Sequence, residues 1–206
     1  MRSSAPRGNT RDDVLRVAAA QFRKAGYEAT TMAVIAGDLG ISPQALYWHF
    51  RSKDEILHAY LLRALEETIE VFGSAANAAG SNTERLAAIV RAHVHLEIEG
   101  GFGQGYGPAY DTTVLTGNLP SEGREELRQL HRKALDFYRK ILTDGVKSGE
   151  FRTLDVRTTA FAISGMCTAV QTWFRPDRTV TADNLAEQYA EFALAIVAPK
   201  SRGKNR

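Results

Sequence analysis

Apolar residues recur at intervals of three and four along almost the whole chain, whereas the strict alternation of a half-buried strand is scarce. Helices with one apolar face must bury that face against one another. The chain has 206 residues, which at about 150 residues per domain corresponds to one large domain or two small ones. The spacing predicts an all-α protein of about nine helices.

Composition excludes several classes of protein. Hydrophobic residues make up 44% of the chain and charged residues 24%, the balance of an ordinary globular protein. Cys167 is the one cysteine, which excludes a disulfide framework and a thiolate zinc site and suits a reducing compartment. The apolar run 192–198 is far shorter than the roughly 20 residues of a membrane-spanning helix. The N-terminus turns acidic too early for a signal peptide, so we expect a cytoplasmic protein.

The net charge of +2 conceals an uneven distribution. Residues 1–60 carry eight basic and six acidic side chains, and residues 61–197 carry fourteen against eighteen. The last nine residues add four basic side chains and no acid. We expect the basic tail, residues 199–206, to be disordered. It is interpreted as a solubilising end, with an arm that touches DNA as the alternative.

Capping residues divide the first part of the chain into four predicted helices, at 11–25, 32–39, 42–50 and 52–76. Thr31 and Ser42 are suitable N-caps, and Pro43 occupies the first helical position, where its missing N–H costs nothing. Gly26 and Gly40 are natural helix ends. The long fourth helix belongs to both parts of the chain.

The second part of the chain is also predicted to be helical. Helices are expected at 83–99, 120–148, 155–174 and 181–197, with a short one at 108–115. Residues 100–107 contain five glycines in eight positions, which indicates a loop or hinge. We therefore divide the chain into an N-terminal head at residues 8–60 and a helical body at residues 61–198.

Residues 32–50 have the pattern of a helix-turn-helix, whose second helix must be slim and polar enough to enter a major groove about 12 Å wide. Leu46 and Phe50 are four residues apart and anchor this helix on the core. The outward face carries groups that can bond a base edge, reach phosphates or pack on a sugar: Pro43, Gln44, Tyr47, Trp48 and His49. The alternative is an ordinary three-helix subdomain whose aromatic side chains pack against the body.

The segment from Phe22 to Leu57 closely resembles the DNA-binding head of the TetR family of bacterial regulators. The matching residues include the runs GYEATT at 26–31, LGIS at 39–42 and ALYWHFRSKDEIL at 45–57. The resemblance implies a homodimer, usually a repressor. It makes the head, residues 8–60, the DNA-binding domain and the body, residues 61–198, a helical effector-binding and dimerisation domain. The positions that it implies for DNA contact are Thr31, Pro43, Gln44, Tyr47, Trp48, His49 and Lys53. Thr30 is a further candidate because it lies at a helix N-terminus, which attracts phosphate, and the N-cap Ser42 is included with it. Pro43 stands where Lys is frequent and Gln44 where Gly is common, so the operator does not transfer from relatives.

The final helices resemble a TetR subgroup that regulates lipid and acyl-CoA breakdown, through residues 149–152, 165–166 and 173–177. The resemblance implies that the last two helices pair with those of a partner in a four-helix bundle. It also implies a hydrophobic or acyl-CoA-like effector. The candidate interface residues are Ala162, Gly165, Ala169, Trp173, Ala186, Tyr189, Ala190 and Ala193.

Aromatic and polar residues near the five-glycine loop indicate an apolar-walled cavity. The candidate lining residues are His93, Glu97, Phe102, Tyr106, Tyr110, Phe137, Tyr138, Phe161 and Thr168. No metal ligand set, cofactor motif or catalytic triad stands out, so we expect neither a metal, nor a cofactor, nor an enzyme. The remaining alternatives are an architectural or division-control DNA-binding protein without an effector and, less favoured, a helical small-molecule-binding enzyme. Binding to DNA would place the protein at a bacterial nucleoid.

Overall fold

A computed structural model describes residues 11–78, 80–99, 117, 119–175 and 180–199. These residues form eight α-helices and no strand, which confirms the all-α prediction. The helix predicted at 108–115 and the tail beyond residue 199 lie outside the described residues. The helices are α1 (Arg11–Ala25), α2 (Met32–Leu39), α3 (Pro43–His49), α4 (Lys53–Ala78), α5 (Asn82–Glu99), α6 (Ser121–Ser148), α7 (Val156–Trp173) and α8 (Ala182–Val197).

Side-chain caps set the starts of the helices where the sequence places them. The hydroxyl of Thr31 accepts from the backbone N–H of Val34 at 3.3 Å, and that of Ser42 accepts from Ala45 at 3.1 Å. Asp155 caps α7 in the same way. Such caps satisfy N–H groups that have no partner inside the helix. Among the described residues, no helix is both long and apolar enough to cross a membrane.

A first hydrophobic core holds the four N-terminal helices together. α1 packs against α2 and α4, and α2 packs against α3. Leu119 and Leu127, from the start of the α6 region, are buried in this same core beside residues of α3 and α4. The head therefore includes two side chains that are far away in sequence.

A second core fills the body, where α5 packs against α4, α6, α7 and α8. The turn after α6 closes over this core, with the ring of Phe151 lying against the backbone of Gly145. Ala186, Ala190 and Ala193 are buried in this core. They face their own protomer, so their assignment to a dimer interface was wrong.

Part of the exposed surface of α7 and α8 is nevertheless apolar. Phe161 and Trp173 on α7 and Phe192 on α8 are each just over half exposed, at 53–54%. Between the two aromatic residues of α7 lie the small exposed residues Ala162, Gly165 and Ala169, while Tyr189 on α8 is half-buried beside Phe192. An apolar surface of this kind on a protein of this size typically marks an interaction site.

Candidate nucleic-acid interface and ligand cavity

The turn between α2 and α3 has the tight geometry that a helix-turn-helix needs. Gly40 has a left-handed backbone, with φ 68°, and the backbone N–H of Ile41 donates to the carbonyl of Ala36 at 3.0 Å. Glycine adopts this conformation without the strain that a Cβ would add. The second helix, α3, then turns Leu46 and Phe50 into the head core, where both are fully buried.

The opposite face of α3 projects away from the protein. Trp48 is 83% exposed and Tyr47 is 49% exposed, and both are large aromatic side chains that water solvates poorly. Pro43, Gln44 and His49 are exposed beside them. Since Tyr47 and Trp48 do not pack against the body, the head is not a subdomain that covers its own aromatic residues. The face presents both hydrogen-bonding and apolar groups to whatever docks on it.

Two residues assigned to this interface have other roles in the structure. Thr30 is 1% exposed, and its hydroxyl donates to the carbonyl of Gly26 at 2.8 Å, so its side chain cannot reach DNA. Lys53 is half-buried; its ammonium donates to the carbonyl of Tyr27 at 2.8 Å and lies 4.2 Å from the centre of the Tyr27 ring. Lys53 therefore fastens α4 to the turn before α2. Thr31 and Ser42 remain exposed helix caps.

The same turn is held by a second contact with α4. The phenol of Tyr27 donates to a carboxylate oxygen of Asp54. Burial, followed by the hydrogen bond to Asp54, raises the pKa of Tyr27 above its usual range, so the phenol remains a donor at neutral pH. On the other side of α3, the guanidinium of Arg11 lies over the ring of Phe50 at 4.2 Å from its centre. The Tyr27 contacts therefore fasten the turn before α2 to α4, and the Arg11 contact joins α1 to the residue that follows α3.

The body contains a cavity of about 320 Å³ between α4, α5, α6 and α7. This volume lies in the usual range of small-molecule sites. Most of the wall is apolar, with a few polar groups. The lining residues are Leu61, Ala64, Leu65, Thr68, His93, Glu97, His131, Arg132, Ala134, Leu135, Tyr138, Arg139, Phe161, Ser164, Thr168 and Gln171.

Five of the predicted cavity residues do line the cavity. His93, Glu97, Tyr138, Phe161 and Thr168 come together from three different helices. Phe137 does not line it; its ring packs against Gly73 of α4 instead. Phe102, Tyr106 and Tyr110 lie outside the described residues.

The sequence reasoning missed the wall that α4 supplies. Leu61, Ala64 and Leu65 have the spacing of ordinary core residues, and nothing in that spacing distinguishes a cavity wall from a filled core. Thr68 could have indicated the cavity from the sequence, because it places a polar side chain on the otherwise apolar face of this helix. On α6, the basic side chains of Arg132 and Arg139 were overlooked in the same way, since charged residues on a long helix are usually solvated.

Cys167 lies just behind the cavity wall and is fully buried. Burial raises the pKa of its thiol to about 12, so almost no thiolate exists at neutral pH. We expect iodoacetamide at about pH 8 to leave Cys167 unmodified in the folded protein and to alkylate it at the rate of a free cysteine once the protein is unfolded. Mass spectrometry of the native and the urea-unfolded protein measures this difference. Fast labelling of the native protein would contradict the buried position.

Two helices connect the cavity to the head. α4 contributes Leu57 and Tyr60 to the head core, and its next turns, from Leu61 to Thr68, line the cavity. α6 contributes Leu127 to the head core and lines the cavity further along. At the crossing of α4 and α6, the imidazole of His58 lies 3.2 Å from a carboxylate oxygen of Glu126 and packs against Gly123. A molecule in the cavity thus touches the helices that carry the head.

Together, the tight turn and the exposed face of α3 are those of a helix-turn-helix DNA-binding protein, and its helical body contains a cavity. Comparison with known families narrows this class. Residues 14–60 match the model of bacterial regulatory proteins of the tetR family, and residues 79–197 match the tetracyclin repressor-like C-terminal domain. The chain belongs to the TetR family of transcriptional regulators.

Individual relatives agree along nearly the full length of the chain. The HTH-type transcriptional repressor KstR2 of Mycolicibacterium smegmatis is 26% identical over 202 residues, which cover 95% of this chain and 94% of the relative. The crystal structure of PfmR, a TetR family regulator from Thermus thermophilus, has a TM-score of 0.76 and 33% identity, covering 88% of this chain and 97% of its own. AibR in complex with isovaleryl coenzyme A and operator DNA has a TM-score of 0.73 and 25% identity, covering 92% and 99%.

Proposed function

We propose that this protein is a homodimeric repressor that binds a palindromic operator and is released from it by a small hydrophobic effector. The observation that carries the proposal is one helix, α4, shared by the head core and the wall of the ligand cavity. The relatives support it: KstR2 is a repressor, and AibR has been crystallised with both an acyl-CoA and its operator. Acting on nucleoid DNA, the protein would work in the cytoplasm.

The recognition face supports DNA binding through a few placed contacts. In a dimer, two copies of α3 enter successive major grooves, about 34–36 Å apart. Gln44 has the amide that pairs with an adenine edge, and Tyr47 and His49 can reach phosphates. Thr31 and Ser42 lie exposed at the starts of α2 and α3, where phosphates bind favourably.

The dimer would form through the exposed apolar surface of α7 and α8. This surface consists of Phe161, Trp173 and Phe192 together with the small exposed residues of α7. Small side chains let helices of two protomers approach closely, and a two-fold axis presents the same face twice. Covering this face removes large apolar side chains from water, which is the main favourable contribution to association.

The cavity supports release by an effector rather than an architectural role, because it is roomy and its wall continues into the head. An acyl-CoA-like ligand suits it: apolar side chains from α4 would surround the acyl part, and Arg132 and Arg139 on α6 would attract anionic groups. A hundredfold loss of operator affinity requires a coupling free energy of only about 2.7 kcal/mol. Movement of α4 and α6 relative to the head would change the separation of the two recognition helices.

Operator binding is tested with labelled DNA from the promoter beside the protein's own gene. We expect fluorescence anisotropy to show specific binding by the wild type and a loss of at least about tenfold for Tyr47→Ala, since a good contact to DNA is worth about 1–3 kcal/mol. Glu70→Gln, at an exposed position of α4, serves as the control and should bind normally. Wild type that fails to bind at low salt, or unchanged affinity of Tyr47→Ala, would refute the assignment.

Release is tested by adding acyl-CoA esters of graded chain length and hydrophobic drugs to the preformed complex. At least one of them should dissociate it. Indifference to all of them would instead favour a DNA-binding protein that works without an effector.

A further inference from the structure

Four polar side chains that line the cavity are connected through His93. The ring Nδ1 of His93 is 3.0 Å from the hydroxyl of Tyr138, and its Nε2 is 3.3 Å from both a carboxyl oxygen of Glu97 and the hydroxyl of Thr168. Tyr138 and His93 are buried, and the side chain of Glu97 is only 14% exposed. Polar groups in so apolar a place require partners.

The bonds within this cluster leave the carboxyl group incompletely satisfied. A neutral imidazole offers one donor and one acceptor. If Nε2–H donates to Glu97, Nδ1 accepts from the Tyr138 hydroxyl, and both ring nitrogens are then used. In the part of the chain that the structure describes, His93 is the one basic side chain within ion-pair distance of Glu97. A carboxylate can accept several hydrogen bonds, and Glu97 lines the cavity, so a bound molecule can donate a further one to it.

A second acceptor is found in the same wall. The amide oxygen of Gln171 is buried without a hydrogen-bond partner, and Gln171 lines the cavity. An amide can turn to present either edge, whereas a carboxylate has only acceptor oxygens. Glu97 and Gln171 can thus both offer acceptor oxygens to a molecule in the cavity, and a carboxylate at Glu97 cannot turn to present a donor instead.

We infer that the effector is an apolar molecule bearing a hydroxyl group, and that this hydroxyl donates a hydrogen bond to Glu97 at the inner wall of the cavity. This inference rests on the proposed function, since it names the class of effector for the same site. A saturated chain would exclude water from this largely enclosed carboxyl group and offer it no donor. A ketone or ether would be worse placed, because its oxygen can only accept and would face another acceptor.

The test uses three matched ligands: decanoic acid, its ω-hydroxy derivative and its ω-methoxy derivative. They share the carboxylate and the apolar chain and differ only at the far end. Decanoic acid has no polar group there, the hydroxy acid has a hydrogen-bond donor, and the methoxy acid has an acceptor but no donor. Each is titrated against an environment-sensitive apolar dye bound to the full-length protein, and the concentration that displaces half of the dye is measured. For the wild type we expect the hydroxy acid to displace the dye at a concentration at least tenfold lower than either of the others.

The Glu97→Gln variant distinguishes recognition from a merely structural role. Its side chain has nearly the same shape, but its amide N–H can donate to an ether oxygen. We expect the preference for hydroxy over methoxy to fall below threefold, with the affinity for decanoic acid unchanged or improved. Glu70→Gln, which faces solvent, should keep the wild-type preference. Operator binding and thermal unfolding of each variant, measured without ligand, establish that it is folded.

Three outcomes would overturn the inference: no preference for the hydroxy acid in the wild type, no displacement by any of the three acids, or an unchanged preference in Glu97→Gln. None of these would refute the proposed function, which depends on operator binding and on release of the operator by a small hydrophobic effector. Conversely, failure to bind any operator would refute the proposed function even if the cavity selected the hydroxy acid.

Discussion

An Ala169→Glu variant is expected to be monomeric and to bind operator DNA at least a hundredfold more weakly than the wild type. Ala169 lies exposed on α7, between Gly165 and Trp173 on the same apolar face. In the proposed dimer a carboxylate there would be buried without a partner, and the two-fold axis would introduce it twice. Each buried, unpaired charge costs several kcal/mol, while a hundredfold in affinity corresponds to about 2.7 kcal/mol.

The variant is checked by sedimentation velocity and by anisotropy with the same labelled promoter DNA. Ala20→Glu makes the same chemical change on the exposed face of α1 and should remain dimeric. A monomeric Ala169→Glu that still folds would retain its helical circular dichroism, because position 169 makes no part of either core. A dimeric variant with normal DNA affinity would show that the protein assembles through another surface.

A Gly145→Ala variant is expected to lose about 3 kcal/mol of unfolding free energy, at the upper end of the usual cost of overfilling a core. A Cβ at position 145 would overlap the ring of Phe151. The ring cannot easily withdraw, because Phe151 is buried and its backbone N–H donates to the carbonyl of Gly145 at 3.0 Å. The next residue is tied as well, since the N–H of Arg152 donates to Val197 at 2.9 Å.

Urea unfolding at a fixed protomer concentration measures this loss, since dissociation makes the apparent stability concentration-dependent. Gly37→Ala is the matched control. No atom lies within 4 Å of a Cβ at position 37, and alanine favours a helix by up to about 1 kcal/mol over glycine. That control should be as stable as the wild type or slightly more so. A Gly145→Ala variant that matched it would show that the turn after α6 can rearrange.

The predictable part of the fold was the part that is specified locally. Thr31, Ser42 and Gly40 set helix ends through bonds to residues only three or four positions away, and the structure confirms those ends. The outward face of α3 followed from the spacing of Leu46 and Phe50, both of which are buried. Caps and helical periodicity act within a few residues, so one sequence reveals them.

The wrong predictions concern the directions in which individual side chains point, which only tertiary packing determines. α8 is apolar on more than one face, so periodicity could not tell whether Ala186 and Ala190 point into the protomer or toward a partner. Thr30 and Thr31 are neighbours of the same type, yet one hydroxyl turns inward to Gly26 and the other caps α2. Phe137 and Tyr138 are likewise adjacent on α6, and only the second lines the cavity.

The position of Leu119 and Leu127 in the head core has a consequence for engineering. A hybrid regulator can be designed by joining the DNA-binding head of one protein to the body of another. The obvious place for the junction is residue 60, where the N-terminal family match ends. A head that ends at residue 60 would lack Leu119 and Leu127, which are buried in its core. A head from another protein, joined to this body, would pack against these two leucines although its own core did not evolve with them. A working hybrid therefore requires that residues 119–127 be transferred together with the head. The part to be exchanged consists of two segments that are separate in sequence.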